Sequence, residues 1–241
     1  MDKDRGGDIL IVFINKEDKS VIAFYYIFFY IMSKNNKKKI KLFIDADDTI
    51  LNSSKTFIDI VNEEDSVIPP KTQNELKDWK YKSLFPYMTT ERIIKIYDSE
   101  KFFNIVKIDP DFEKFYLKHE NDFEWNIVTK GHKTNIEHKI KYFKKHLPKA
   151  KVVGCLFDSV EGQCFSKSHI NMDYGIQIDD RVDSLVGTNA NIKILLKNNR
   201  DFYWNREDST NEPLYIMNNW KEIIDTLEFT LKNPDVFMER V

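Results

Sequence analysis

The sequence predicts an α/β fold built around a parallel sheet, because three largely apolar runs each end in side chains that can bind or react with a ligand. The runs are residues 42–44, 123–128 and 175–178, which lead into Asp45, Thr129 and Asp179. A short apolar run fits a strand covered on both faces, and ligands bind beyond the carboxyl ends of strands in such sheets. We therefore expect one edge of the sheet to carry the functional residues.

Length and charge narrow the class of protein. The chain has 241 residues, with 37 basic and 39 acidic side chains, which fits one α/β domain that carries an insertion. A net charge near zero does not indicate a nucleic-acid-binding surface, so we expect no nucleic-acid partner. The aromatic residues, 18 Phe and 11 Tyr, are ample for a core. Cys155 and Cys164 are predicted to be reduced thiols, which favours a cytoplasmic location.

The first 31 residues differ in composition from the rest of the chain. Residues 21–32 are apolar and aromatic, and a basic run follows at residues 33–39. Twelve residues are too few to span a bilayer, which takes about 20, and no signal-peptide cleavage site follows. A membrane-surface anchor is the alternative, because the basic run suits anionic lipid. We expect instead that residues 1–31 lie outside the fold, and that a chain starting at Met32 folds and stays active.

The turn after the first run places two carboxylates, Asp45 and Asp47, two residues apart. Both can face one small volume only if the strand turns there, and their mutual repulsion then requires a proton or a cation. A divalent metal ion would meet that requirement. The alternative is a solvated turn or a helix cap, where Asp and Thr are also common.

The other two runs end in groups that suit a phosphate and a metal. Thr129, followed by a Lys and a Gly, offers a hydroxyl and backbone N–H groups to an anion, although the same pattern also occurs at ordinary strand ends. Asp179 and Asp180 are adjacent acids at a strand end, which is unfavourable without a cation. A helix cap that uses the positive end of the helix dipole is the alternative.

Taken together, these motifs resemble the haloacid dehalogenase (HAD) superfamily of phosphotransferases, whose first motif is Asp-x-Asp-x-Thr after an apolar strand. The superfamily also requires a lysine between the Thr and the acidic pair. Lys167 fits the expected order and approximate spacing, and Lys151 is the alternative, at the wrong edge of a parallel sheet. Most other lysines are better explained as solvated.

The resemblance implies specific roles. Asp45 is the nucleophile, Asp47 the acid that protonates the leaving oxygen, and Lys167 the cation that stabilises charge. Substrate or phosphate binding is implied for Thr129, Lys130, Asp48 and Arg181. The implied cofactor is Mg²⁺, held by Asp45, the backbone carbonyl of Asp47, and the pair Asp179 and Asp180, with Asp180 preferred as the direct ligand.

Within the superfamily, the chain resembles the 5′(3′)-deoxyribonucleotidases, including their phage and bacterial members. Residues 94–103, 178–181 and 216–223 carry the resemblance, which extends from about residue 40 to the end. This chain has Asp48-Thr49-Ile50 where that family more often has Asp-Gly-Val, and Ser53 where some members carry an aromatic residue. These departures concern the substrate rather than the chemistry.

The resemblance implies a Rossmann-like HAD core of residues 40–55 and 120–241, with a small helical cap at residues 56–119, inserted after the first strand. Residues 74–82 and 89–99 have helix-forming composition, and prolines separate the segments. Several aromatic residues of this region could stack on a nucleobase, although each one taken singly is better explained as core. They are Trp79, Phe85, Tyr87, Tyr97, Phe102 and Phe103.

The resulting hypothesis is a Mg²⁺-dependent phosphomonoester hydrolase that forms an aspartyl-phosphate and acts as a nucleotidase on (deoxy)nucleoside monophosphates. The alternatives are a HAD phosphatase for sugar phosphates or for a nucleic-acid 3′-phosphate, and a non-catalytic module that only binds a phosphate ligand. A homodimer is possible, and no stable membrane association is expected.

Overall fold

The structure, a computed structural model, describes residues 39–77, 79–157, 166–200, 202–206 and 209–232. Its centre is a six-stranded sheet in which every neighbouring pair of strands is parallel. The strands are β1 (Ile40–Ile44), β2 (Phe123–Gly131), β3 (Lys151–Leu156), β4 (Gly175–Asp179), β5 (Ile192–Leu196) and β6 (Tyr215–Met217). Their order in the sheet is β3-β2-β1-β4-β5-β6. The predicted parallel α/β architecture is confirmed.

Helices flank this sheet. Four of those in the described part of the chain lie between β1 and β2: α1 (Ser53–Glu64), α2 (Thr90–Tyr97), α3 (Glu100–Ile105) and α4 (Pro110–His119). The others are α5 (Lys133–His146), the single-turn α6 (Val182–Leu185) and α7 (Trp220–Lys232). Helix α5 packs on β2 and β3, and α7 packs on α4.

The local sequence explains where helices α2, α3 and α4 begin. The side chains of Thr89, Ser99 and Asp109 each accept a hydrogen bond from a backbone N–H of the first turn of the following helix. Such caps satisfy N–H groups that have no partner within the helix. Pro110 adds a residue whose fixed backbone angle and missing N–H suit the first helical position.

One of the two segments with helix-forming composition is helical and the other is not. Residues 89–99 contain α2, whereas the described part of residues 74–82 contains only the end of the short 3₁₀ turn Gln73–Glu75. The side chain of Glu75 turns back to accept a hydrogen bond from the backbone N–H of Thr72. The chain then reverses at Tyr81, where φ is +59°. A positive φ does not fit a right-handed helix. The prediction of a helix at residues 74–82 is therefore wrong.

Large aromatic side chains join the helices to the sheet. Trp125 on β2 is buried and meets Phe112 and Phe115 of α4 in edge-on contacts. Trp220, at the start of α7, packs against Phe112 and donates a hydrogen bond from Nε1 to the backbone oxygen of Thr49, 2.8 Å away. Within residues 56–119, helix α4 thus packs on the sheet. The division into core and cap stays a prediction.

Two predictions concern segments that are not described. Residues 1–31 and Cys164 lie outside the described residues, so the predictions about them stay predictions. Cys155 is buried on β3. Among the described residues, no helix combines the length and apolar character needed to cross a bilayer.

Candidate active site

The candidate site lies at the carboxyl ends of β1 and β4, which are neighbours in the sheet. The backbone N–H of Asp45, just past β1, donates to the backbone oxygen of Ile178 on β4 at 2.9 Å. β2 and β3 follow on one side of β1, and β4, β5 and β6 on the other. In open α/β sheets, the crevice at such a switch point is where ligands bind.

Three carboxylates converge in this crevice. Asp45, Asp179 and Asp180 are buried, and each offers an oxygen within 4.8 Å of those of the other two. Burial raises the pKa of Asp179 to about 7, with Asp45 adding to the rise and Lys167 opposing it. Burial, and then repulsion from Asp179 and Asp45, raises the pKa of Asp180 well above its ordinary value. The structure thus brings together three of the acids that the sequence singled out.

Lys167 lies between two of the three acids. Its Nζ donates to Asp45 Oδ1 and, at 2.6 Å, to Asp179 Oδ2. The side chain is buried and projects from the 3₁₀ turn Lys167–His169, which Ser166 caps. Burial by itself lowers the pKa of Lys167, but the two carboxylates more than reverse this, so the pKa stands above its ordinary value. Lys167 is therefore a charged partner of Asp45.

Asp180 is held by groups from two other segments. The indole Nε1 of Trp204, in the 3₁₀ turn Tyr203–Asn205 after β5, donates to Asp180 Oδ2 at 2.7 Å. The backbone N–H of Asp180 donates to Thr49 Oγ1 at 3.2 Å. The ring of Trp204 stacks on Phe202 with 4.2 Å between centroids. The orientation of the Asp180 carboxylate is thus set by a loop that sequence reasoning did not single out.

Asp47 has a buried partner that sequence reasoning missed. Lys139, in the middle of α5, is fully buried, and its Nζ donates to Asp47 Oδ2 and to Thr129 Oγ1, the latter at 2.8 Å. Ser53 donates to the other oxygen of Asp47 at 2.7 Å. A signal was present: Lys139 lies three residues after Ile136 and four before Phe143, on the apolar face of the helix.

The Asp48 carboxylate contacts different residues from those that hold Asp47. Its backbone has a φ of +55°, and its carboxylate accepts from the N–H and the hydroxyl of Ser54 at 3.0 and 2.7 Å. Arg200 approaches it to 3.7 Å, and burial raises its pKa to about 6. The carboxylate predicted to bind substrate is thus engaged by side chains of the protein itself.

Lys130 and Arg181 lie at the edge of the site. Lys130 is exposed, and its Nζ lies 5.7 Å from the centroid of the Phe157 ring. The guanidinium of Arg181 donates to both carboxylate oxygens of Asp183 at 3.0 and 2.8 Å, while its backbone N–H donates to Asp179 Oδ1. The structure therefore brings neither cationic side chain into contact with the three acids.

Two tyrosines of the segment between β1 and β2 lie near the acidic turn. The hydroxyls of Tyr81 and Tyr97 are 2.7 Å apart, and the ring of Tyr81 stacks on Phe57 with 4.0 Å between centroids. Burial, with added repulsion from Asp48 and Asp47, raises the pKa of both tyrosines well above the ordinary value. Tyr97 is among the predicted aromatics, whereas Tyr81, a buried core residue, is not. The other predicted aromatics divide into the buried Phe85 and Phe102, the partly buried Phe103, and the exposed Trp79 and Tyr87.

A surface cavity of about 1200 Å³ opens beside the acidic turn. Asp48 and Thr49 line it, together with residues of α5 and the segment Asn198, Asn199 and Arg200. Asp45, Asp179 and Asp180 are not among its lining residues. The three acids therefore lie outside this cavity.

The residues at the site fit Mg²⁺. Carboxylate oxygens are ligands that Mg²⁺ accepts, and Asp45, Asp179 and Asp180 supply three of them, buried and within reach of one ion. One lysine, Lys167, faces two of these acids. The raised pKa values of Asp179 and Asp180 reflect burial and like charges that a divalent cation would offset.

Comparison with solved structures identifies the fold. A haloacid dehalogenase-like family hydrolase from Streptococcus pneumoniae superposes with a TM-score of 0.54 at 14% identity, covering 78% of this chain and 98% of that one. A HAD-superfamily hydrolase of subfamily IA from Geobacter sulfurreducens gives 0.48 at 14%, covering 80% and 99%. A putative HAD hydrolase from Bacillus subtilis, solved bound to magnesium, gives 0.48 at 16%, covering 79% and 99%.

The sequence matches no protein-family model and no curated protein. The first of the three structural matches shows that the chain has the fold of haloacid dehalogenase-like hydrolases.

Proposed function

We propose that this protein is a Mg²⁺-dependent phosphomonoester hydrolase that works through an aspartyl-phosphate on Asp45. One observation carries the proposal: Asp45, Lys167 and the pair Asp179 and Asp180 come from three separate segments and meet at one crevice. The order of these residues along the chain agrees with the motifs of the HAD superfamily, and the fold is that of HAD-like hydrolases. Membership of that superfamily is part of the proposal.

In the proposed reaction, an Asp45 carboxylate oxygen attacks the phosphorus atom, and the bond from phosphorus to the leaving oxygen breaks. Asp47 gives its proton to that oxygen, so the product leaves as an alcohol. Lys167 and Thr129 stabilise negative charge on the transferring oxygens. Asp47 then takes a proton from water, which attacks the phosphorus atom and releases phosphate and Asp45.

The metal ion would be held by Asp45, the backbone carbonyl of Asp47 and the acidic pair, with Asp180 as the preferred direct ligand of that pair. When bound, Mg²⁺ neutralises charge on the phosphate and on the carboxylates that face it. Trp204 orients Asp180 through its indole N–H.

The proposed substrates are (deoxy)nucleoside monophosphates. Tyr97 is partly buried, and its hydroxyl lies 2.7 Å from that of the buried Tyr81; in this proposal Tyr97 contacts the base or the sugar. We propose that this part of residues 56–119 selects the substrate, and that Arg181 and Lys130 contact the substrate from the rim. A cytoplasmic location and a homodimer stay predictions.

The test is release of phosphate from a panel of nucleoside 5′- and 3′-monophosphates, sugar phosphates, a 3′-phosphorylated oligonucleotide and an aryl phosphate, with Mg²⁺ or with EDTA. Release that requires metal and favours nucleoside monophosphates supports the proposal in full. Release from sugar or oligonucleotide phosphates alone keeps the chemistry and replaces the substrate. No release from any compound contradicts the enzyme and favours the binding module.

A further inference from the structure

We propose that Lys139 is a positioning residue that holds the acid Asp47 and the phosphate-binding Thr129 in one fixed arrangement. This inference rests on the proposed function. Asp47 lies in the turn after β1, Thr129 on β2, and Lys139 in the middle of α5. The ammonium group of Lys139 bonds to both side chains and so joins two motifs that lie far apart in the sequence.

The contacts of Lys139 separate its role from that of a substrate ligand. Lys139 and Thr129 each have no exposed surface, whereas the Asp47 side chain is 31% exposed. Lysine is almost never fully buried unless it is paired. The ammonium group of Lys139 is paired with Asp47 and also donates to Thr129. Its effect on the reaction therefore passes through Asp47 and Thr129.

The chemistry of the ammonium group also fixes the direction of the hydrogen bonds. A protonated lysine only donates, so Thr129 Oγ1 accepts the bond from Lys139 and its own hydrogen is directed away from that lysine. That polarity suits a phosphate oxygen. On Asp47, Lys139 holds Oδ2 and Ser53 holds Oδ1. Two donors, one on each oxygen, fix the plane of the Asp47 carboxylate.

The expected effect of losing the Lys139 contacts on turnover depends on the leaving group of the substrate. An alkoxide needs a proton as its bond to phosphorus breaks, so a misplaced Asp47 slows the hydrolysis of alkyl phosphates. A nitrophenolate leaves without a proton, so the turnover of p-nitrophenyl phosphate depends little on the position of Asp47. The measurement is kcat/KM, which covers steps up to departure of the leaving group and excludes hydrolysis of the aspartyl-phosphate.

The test compares wild type, Lys139→Met and Lys144→Met on an alkyl phosphate and on p-nitrophenyl phosphate. Lys144 is an exposed lysine of the same helix and serves as the control. For Lys139→Met we expect a loss of about 100-fold on the alkyl phosphate and less than about 10-fold on the aryl phosphate. Lys144→Met should match wild type on both substrates.

The outcomes distinguish failure of the positioning role of Lys139 from failure of the proposed function. Equal losses on both substrates contradict the positioning of Asp47, and no loss on either substrate contradicts the positioning of both Asp47 and Thr129, while the proposed function stands. No turnover by wild type on either substrate overturns the proposed function and this inference with it. If Lys139→Met does not fold, Lys139→Arg replaces it. Its longer planar head would displace Asp47, and an unchanged ratio of alkyl to aryl turnover in that variant would contradict the inference.

Discussion

The ammonium group of Lys167 lies 2.6 Å from Oδ2 of Asp179 and also donates to Asp45, so one cation serves acids from two neighbouring strands. All three side chains are buried. Buried charges are costly unless they are paired and hydrogen-bonded, so the pairing is part of the stability of this end of the sheet.

Replacing Lys167 by Met is expected to destabilise the protein as well as to impair turnover. The change leaves Asp45 and Asp179 without their cation, and breaking a buried pair in this way costs about 3–5 kcal/mol. Urea denaturation in EDTA measures the loss, and added Mg²⁺ should recover part of it. Lys130→Met, an exposed lysine near the same edge, should stay within about 0.5 kcal/mol of wild type. Equal stability of both variants would contradict the pairing.

Asp45→Asn should abolish turnover while the fold is retained. An amide is not a nucleophile toward phosphorus, and loss of the attacking group in a covalent mechanism costs about 10⁴-fold or more. Lys167 keeps Asp179 as a partner in this variant. The measurement is phosphate release on the best substrate, with circular dichroism as the check on folding. Activity like that of wild type would rule out Asp45 as the nucleophile.

Trp204→Phe should weaken metal binding without removing a metal ligand. The ring is kept, but Asp180 Oδ2 loses the N–H that donates to it at 2.7 Å. Loss of a group that orients a ligand typically costs about 10- to 100-fold in metal affinity. Titration with Mn²⁺ followed by electron paramagnetic resonance measures the dissociation constant directly. Tyr203→Phe, at an exposed neighbouring position, is the matched control. An unchanged Mn²⁺ affinity for Trp204→Phe would refute the orienting role.

Glu228 on α7 makes the stability of the folded protein depend on pH in the acid range. Hydrogen bonds from Lys118 and Lys232 lower its pKa from 4.5 to about 2. Because the folded pKa lies below the unfolded one, the stabilisation is full above about pH 4.5 and is lost as the pH falls toward 2. Glu228→Gln should therefore be less stable than wild type near pH 6, by at most about 1 kcal/mol because both lysines are exposed. Urea denaturation from pH 6 to pH 3 should show the difference shrinking, and a constant difference would contradict the assignment.

The main lines of the fold could be predicted from the sequence because they depend on local patterns. Apolar runs gave β1, β2 and β4, and the polar residues that follow β1 and β4 fall on one edge because parallel strands end together. The resemblance to the HAD superfamily singled out Lys167 by its order and spacing, and the structure places its ammonium group beside Asp45 and Asp179. The helix expected at residues 74–82 failed, because composition alone did not reveal the reversal at Tyr81.

Partners from distant segments were decided only by the tertiary structure. Lys139 meets Asp47 across 92 positions of the chain, and Trp204 meets Asp180 across 24. No local pattern names such partners, because side-chain contacts depend on how helices and loops pack on the sheet. The sequence by itself determined a parallel α/β sheet with acids at its carboxyl edge. The tertiary structure decided which cation serves which acid, because a buried charge takes whichever donor the packing brings within hydrogen-bond reach.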